Sequence, residues 1–484
     1  DLQVRRDAIF ALANLADAVE LHADLLRHGA VDRLELVALQ VEDVRCQRDT
    51  GRALACLTQD AEIRKHIVES KRLDAVIKLT RSLDVSCQRY AALALCNLGC
   101  GADTKAEIIK QGSLKPLMFL MRFPDLECQR YAALAIAGLG LGGITHDHDN
   151  KHTIVEEGAV RPLVELCRFP EPRLQLCAAL AINALALGAN GATMLGIARE
   201  HGLPALFSLL DPKQDNDCHF ASVYAMGSLA ENNEIKQQLV ELDTIQTVVK
   251  SSTSRSDLEL KRAAAYLFAR LAENAELHLK LYENGAVDAL VALASLEDTE
   301  CQEVAAFALA HLASDRNLQV HLVQKGALKP LVAMMTVKAA PAHYAGLALL
   351  KLANNFENHV AIAQEGGIQA LLRLGRERST DHELQYKAAL TVVNLASNVV
   401  NLMPKGGDVS GSGSIGIGAA AMAQARVSQQ AKRGAQSTAN FLETSTKKSP
   451  LAPISDKRSS SSSLKSLCSP KPLPGVISPK KVID

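Results

Sequence analysis

The stretch Cys87-Gln-Arg-Tyr-Ala-Ala-Leu-Ala-Leu-Cys-Asn-Leu-Gly99 returns 41 residues later as Cys128-Gln-Arg-Tyr-Ala-Ala-Leu-Ala-Ile-Ala-Gly-Leu-Gly140. A chain that repeats itself at this period is a stack of small units, each too small to bury its apolar face alone. The repeated stretch reads as a helix. Cys87, Tyr90, Ala91, Ala94, Leu95 and Leu98 fall at helical spacing, Ala and Leu dominate, and Gly99 suits the end. Such a helix, roughly 20 Å long, needs neighbours on both sides. Aromatic residues make up 4% of the 484-residue chain and Trp is absent, so its cores are filled by small aliphatic side chains and its helices must pack closely.

The same phase runs through most of the chain. Connecting glycines recur at Gly29, Gly112, Gly158, Gly202, Gly285, Gly326 and Gly366, and Lys71-Arg72 and Leu242-Asp243 take that slot in two units without one. Pro116, Pro162, Pro204 and Pro330 follow within four residues, at the first turn of a second helix, where a missing N–H costs nothing. Each unit thus has a short helix, a second helix and the long Ala/Leu helix. The first helix, from about Leu2 to Ala16, reads as the third helix of a repeat whose front half is missing; the chain reads as a fragment with a sticky edge. Cys46, Cys87, Cys128, Cys218 and Cys301 all stand eleven residues before the repeat leucine, where other units hold Val4, Leu174, Leu260 and Leu384. Cysteine there acts as a small buried hydrophobe, and neither a disulfide framework nor a zinc site is expected among the eleven cysteines. A reducing compartment follows.

The pattern Gly-Ala-Val/Leu-x-Pro-Leu-(Val/Met)-x-Leu, followed by Cys/Val-Gln-x-x-Ala-Ala-x-Ala-Leu-x-Asn-Leu, resembles the armadillo repeat. The resemblance covers residues 1–398, one partial repeat and nine in-phase units; three helices and the Asn-Leu ending separate it from HEAT repeats. It implies an all-α fold, a right-handed superhelical α-solenoid of armadillo repeats, with a disordered, basic, Gly/Ser/Pro-rich tail over 399–484. The general flavour is closest to vacuolar-type armadillo adaptor proteins. In this family the third helices line a concave groove, and an Asn near each helix end holds the backbone of an extended peptide. That slot, just before the repeat leucine, holds Asn14, Cys56, Asn97, Gly138, Ala184, Ser228, Arg270, His311, Lys351 and Asn394. Three of ten are Asn, which implies discontinuous backbone capture.

One turn earlier stand Phe10, Arg52, Leu93, Leu134, Leu180, Tyr224, Tyr266, Phe307, Leu347 and Leu390. Importin-α-type receptors place Trp here to sandwich lysine stems; this chain offers at most a smaller aromatic stripe of Tyr224, Tyr266 and Phe307. A further turn back lie Arg6, Arg48, Arg89, Arg130 and Arg262. A line of guanidinium groups at fixed pitch could hold an acidic or phosphorylated segment, as beta-catenin-type grooves do, or each Arg could pair with an acid of the adjacent unit, Asp43, Asp84, Asp125 or Glu127.

The remaining motifs carry less chemistry. His146, His148 and His152 with Asp147 and Asp149 lie in the segment Thr145 to His152, where the repeat is five residues longer, and read as an exposed polar segment rather than a metal site. Gly138-Leu-Gly-Leu-Gly-Gly143 ends a helix instead of following a strand, so it is a helix stop and not a nucleotide loop. Leu174 to Ala198 is uncharged, yet Asn and Gly interrupt it and its first half keeps the repeat phase, which argues for buried repeat helix over membrane span. Residues 401–484 carry 12 Lys and Arg against 4 Asp and Glu, a net +8 that leaves −8 for residues 1–400. Ser449, Ser469 and Ser478 each precede Pro in that tail and are candidate phosphorylation sites that would lower its charge.

The expected function is therefore a non-enzymatic protein-interaction scaffold or adaptor binding extended, and for the arginine line acidic, partner segments in the third-helix groove. The alternatives are an importin-α-like transport receptor and a beta-catenin-like adhesion or signalling adaptor. No cofactor, metal or small-molecule substrate is expected. Nor is nucleic acid, and membrane contact would be indirect or through missing N-terminal residues. The expected location is cytoplasmic, with nuclear and membrane-peripheral sites as further options.

Overall fold

The computed structural model describes residues 2–101, 103–141, 147–335, 341–377 and 382–402. Among these there are helices and no strands. They fall into two units, one ending at Ile235 and the other beginning at Lys236.

In the N-terminal unit the long helices Leu2–Ala16, Val44–Leu57, Val85–Gly99, Leu126–Gly140, Pro172–Ala186 and Asn216–Leu229 pack each on the next in chain order. In the C-terminal unit Leu258–Ala272, Thr299–Leu312 and Pro341–Leu352 do the same, and His382–Leu402 closes against the helices before it. Two shorter helices precede each long one from Val44 onward, as in Ala61–Glu69 and Leu73–Leu79 before Val85–Gly99; this is the three-helix unit that the glycine and proline spacing implies.

Three local devices explain why the sequence folds this way. The first starts the long helix. Asp43, Asp84, Asp125, Asp215, Asp257 and Asp298 each cap it by accepting the N–H three residues on, from Cys46, Cys87, Cys128, Cys218, Leu260 and Cys301, at 2.7–3.0 Å. The cysteines at this position are 0% exposed. Burial pushes the Cys46 thiol up to about 11 and that of Cys87 to about 12, so both are held as inert, protonated hydrophobes.

The second device turns the chain between the first two helices. Every residue there has positive φ: a glycine in six units, Lys71 at 57° and Asp243 at 54° in the two units without one, and His201 at 62°. His201 corrects the sequence reading, which put Gly202 in this role. Gly202 instead opens the next helix, where a Cβ would come within 2.8 Å of Ile197 O, so its smallness is needed for packing and not for φ.

The third device ends the long helix. A side chain in the next short helix donates to the carbonyl six residues back: His22 Nε2 to Ala16 O at 2.9 Å, His278 Nε2 to Ala272 O at 2.8 Å, Gln319 Nε2 to Ala313 O at 3.0 Å and His359 Nε2 to Ala353 O at 2.8 Å.

Small residues then let the long helices close on one another. A Cβ on Gly138 would sit 2.9 Å from Gly99 O, and one on Gly99 would sit 3.0 Å from Ala135 O. The Gly-Leu-Gly run that mimics a nucleotide loop is thus a helix-packing surface. The uncharged stretch after Leu174 is broken at Gly188, φ 61°, into Pro172–Ala186 and Gly191–Arg199. Among the described residues, no helix is long and apolar enough to cross a membrane.

Candidate functional site

The surface under test is the face that the long helices share in each unit. Its outermost row is the arginine line. Arg6 meets Asp43 at 2.6 Å, Arg48 pairs with Asp84, Arg89 meets Asp125 at 2.6 Å and Arg262 meets Asp298 at 2.6 Å. Each acid is the cap of the next long helix, so a single carboxylate starts one helix and grips the previous one. The guanidinium of Arg6 holds Asp43 well below the ordinary carboxylate range, and Arg262 holds Asp298 down at about 2. Arg130 has no such partner ahead among the described residues; Glu171 stands at the next cap position, and its side chain makes no cap bond. It turns back to Glu127 at 2.5 Å and lies 4.4 Å over the Tyr131 ring. Every arginine of the line is thus engaged by an acid of the chain itself.

In the middle row, Tyr224 is 4% exposed, Tyr266 0% and Phe307 5%, so these rings present little surface to a ligand. Phe307 packs on Tyr344, ring centroids 5.2 Å apart, and on His311 at 4.5 Å. Phe10 is 46% exposed and lies 5.6 Å beneath the Arg52 guanidinium. Arg52 reaches back one repeat to Asn14 Oδ1 at 2.7 Å and Asp17 at 2.9 Å. Cys56 donates to the same Asp17 at 3.2 Å. The residue types alone gave no hint of this network.

The inner row holds the ladder slot. Asn97 is buried, with Nδ2 donating to Ala55 O at 3.1 Å and Thr58 Oγ1 at 3.2 Å in the preceding repeat. Lys351 likewise reaches back one repeat, to the matching carbonyl of Ala310 at 2.9 Å and to Ser314 Oγ at 2.7 Å. Ser228 bonds Asn183 Oδ1 at 2.9 Å. Asn14 and Asn394 are exposed, and Arg270 and His311 complete the slot in the C-terminal unit. Arg270, His311 and Lys351 stand in this slot in three consecutive repeats, a run of basic residues that interrupts the Asn ladder.

Outside this face, His146 lies beyond the described residues, as do Ser449, Ser469, Ser478 and the tail from 403 on, while 399–402 continue the helix His382–Leu402. His152 is exposed on the helix Asp147–Glu156. No group of three His, Cys, Asp or Glu side chains placed to hold a metal occurs among the described residues.

The units with their three helices, capped long helix and shared face make this an armadillo-like repeat fold. A crystal structure of an engineered protein is similar over 82% of this chain and 96% of its own, with a TM-score of 0.74 and 27% identity. A designed armadillo repeat protein, YIII(Dq)4CqI, is 28% identical over 50% of this chain and 99% of its own, with a TM-score of 0.47. A second, YIII(Dq.V1)4CPAF in complex with the peptide (KR)4, is 27% identical over the same shares, with a TM-score of 0.46. No protein-family model and no curated protein matches the chain.

Proposed function

We propose that the chain is a non-enzymatic scaffold or adaptor that holds extended segments of partner proteins along the face shared by its long helices. One observation carries this reading: side chains on this face of one repeat reach the long helix of the repeat before it and hydrogen-bond across the boundary, as Arg52 does with Asn14, Asn97 with Ala55 and Lys351 with Ala310. Helices packed ~10 Å apart present such slots at the pitch of about two to three residues of extended chain, so a partner strand laid across them meets one slot per repeat. Asn14 and Asn394, both exposed, are the ladder residues suited to its backbone, with Phe10 beside the first, whereas Asn97 is buried and its amide is taken up by Ala55 O and Thr58 Oγ1. The arginine line serves mainly to lock repeats together in this reading.

The test is site-specific photo-crosslinking from this face. A benzophenone side chain at Leu347, on the face, should trap partner polypeptide that the same group at the exposed Leu279, on a short helix, does not. Equal trapping from both positions would sink the proposal.

A further inference from the structure

The ladder slot of the C-terminal unit departs from the rest of the chain in charge. Arg270 is 8% exposed, with Nη1 3.0 Å from Glu273 Oε1 and its guanidinium 5.3 Å over the Tyr266 ring. Glu273 also takes Lys236 Nζ at 3.1 Å, so one carboxylate serves two cations. Lys351 is placed differently. Its two hydrogen-bond partners, Ala310 O and Ser314 Oγ, are neutral, and no carboxylate lies against it among the described residues. An ammonium carries three donors, and a half-buried charge held only by neutral dipoles is costly. Burial lowers Lys351 to about 8. His311, in the slot before it, is driven down to about 4, first by burial and then by the positive charges of Lys351, His278 and Lys236, with no acid among its influences. The nearest acid on the adjoining segment, Asp315, acts on His278.

Asn97 shows that this charge is not needed to join repeats, since a neutral amide bonds the matching carbonyl of Ala55 and a nearby hydroxyl, Thr58 Oγ1. We propose that Lys351 and His311 form a subsite for the carboxylate of an aspartate or glutamate side chain borne on the extended segment held in this groove. The proposal rests on the scaffold reading and supplies the chemistry of its partner. A single carboxylate matches the charge: one ammonium with a donor to spare, beside a neutral imidazole that an anion makes easier to protonate. The arginine line, where each cation already faces a carboxylate, has no such vacancy of charge.

The experiment selects a displayed random-peptide library against the full chain and against its Lys351→Met and Lys351→Arg variants, with thermal melts confirming that each variant folds. The wild type and Lys351→Arg should enrich peptides with Asp or Glu at one fixed position; Lys351→Met should lose that preference. Replacing that acid by its amide should weaken wild-type binding about tenfold or more. In histidine-labelled chain, with the resonance assigned through His311→Gln, the acidic peptide should raise the His311 titration by about one unit or more and its amide counterpart should not. Peptides enriched without an acidic preference, or equally by Lys351→Met, would overturn the subsite while leaving the scaffold intact. No enrichment by any form would overturn both.

Discussion

Arg89 and Asp125 belong to successive repeats and meet through three hydrogen bonds, Nε at 3.0 and 3.1 Å and Nη2 at 2.6 Å, while the same carboxylate accepts the Cys128 N–H at 3.0 Å. One side chain therefore decides where a helix begins and how it registers on its neighbour. Asp125→Ala removes both roles and is expected to cost about 1–2 kcal/mol, most of it from the lost cap, since the guanidinium is partly exposed and screened. Arg89→Ala leaves the cap and should cost under about 1 kcal/mol. A double-mutant cycle read by thermal melts separates the two, and a coupling energy of zero between Arg89 and Asp125 would show that their contact carries no stability.

Gly138 tests the close approach of the long helices. With Gly99 O 2.9 Å and Gly99 C 3.0 Å from the position of an added Cβ, backbone and not a yielding side chain opposes substitution. Gly138→Ala is expected to destabilise the N-terminal unit by about 1–3 kcal/mol, the range for overpacking a tight interior. By helix propensity alone the same change would stabilise by up to about 1 kcal/mol, so the sign of the shift in melting temperature decides between the two.

The positive-φ turn gives the opposite expectation. Lys71, His201 and Asp243 occupy a left-handed conformation that costs an L-residue about 1–2 kcal/mol, offset in part by the extra freedom glycine has when unfolded. Lys71→Gly and His201→Gly should each raise stability by roughly 0.5 kcal/mol, with Asp243→Gly gaining less because Asp tolerates this region better. Gly112→Ala, where open space surrounds the position and only φ objects, should lose about 1 kcal/mol. Denaturant melts of the four variants check the set.

The turn slot also shows how far the sequence reaches. Period and local chemistry place Lys71-Arg72 and Leu242-Asp243 in it, and the positive φ falls on Lys71 and Asp243, because a turn between two short helices is specified by neighbours a few residues away. The slip from His201 to Gly202 arose because a glycine can be required by φ or by packing, and only the contact with Ile197 distinguishes them. The groove was harder to read. Whether Arg89 is free or gripped depends on Asp125, 36 residues on, and whether Tyr266 is a platform or core depends on helices in both neighbouring repeats. Spacing gives the slot, while exposure is a property of the stack.

His278 offers a test of the helix-end device through pH. Its Nε2 donates to Ala272 O, and its Nδ1 is buried without a hydrogen-bond partner among the described residues, so protonation would place a second donor where nothing accepts it. Burial pulls its pKa below the ordinary histidine value; the bond to Ala272 and the charge of Asp315 oppose this, and Lys351 adds to it. A histidine depressed in the native state binds fewer protons there than in the unfolded chain, so its contribution is present above the unfolded value near 6.5 and is lost as pH falls below it. Between pH 7 and 5.5 the paired aspartates remain ionised in both states, which leaves this interval to the histidines. Gln319 fills the same position one repeat later and makes the same bond at 3.0 Å with a side chain that does not titrate. His278→Gln should therefore keep the melting temperature at pH 7.5 close to wild type and flatten its fall between pH 7 and 5.5. An unchanged fall in the variant would mean that His278 is not the group responding to acid, and a large loss already at pH 7.5 would mean that the imidazole is held by its shape and not by its donor.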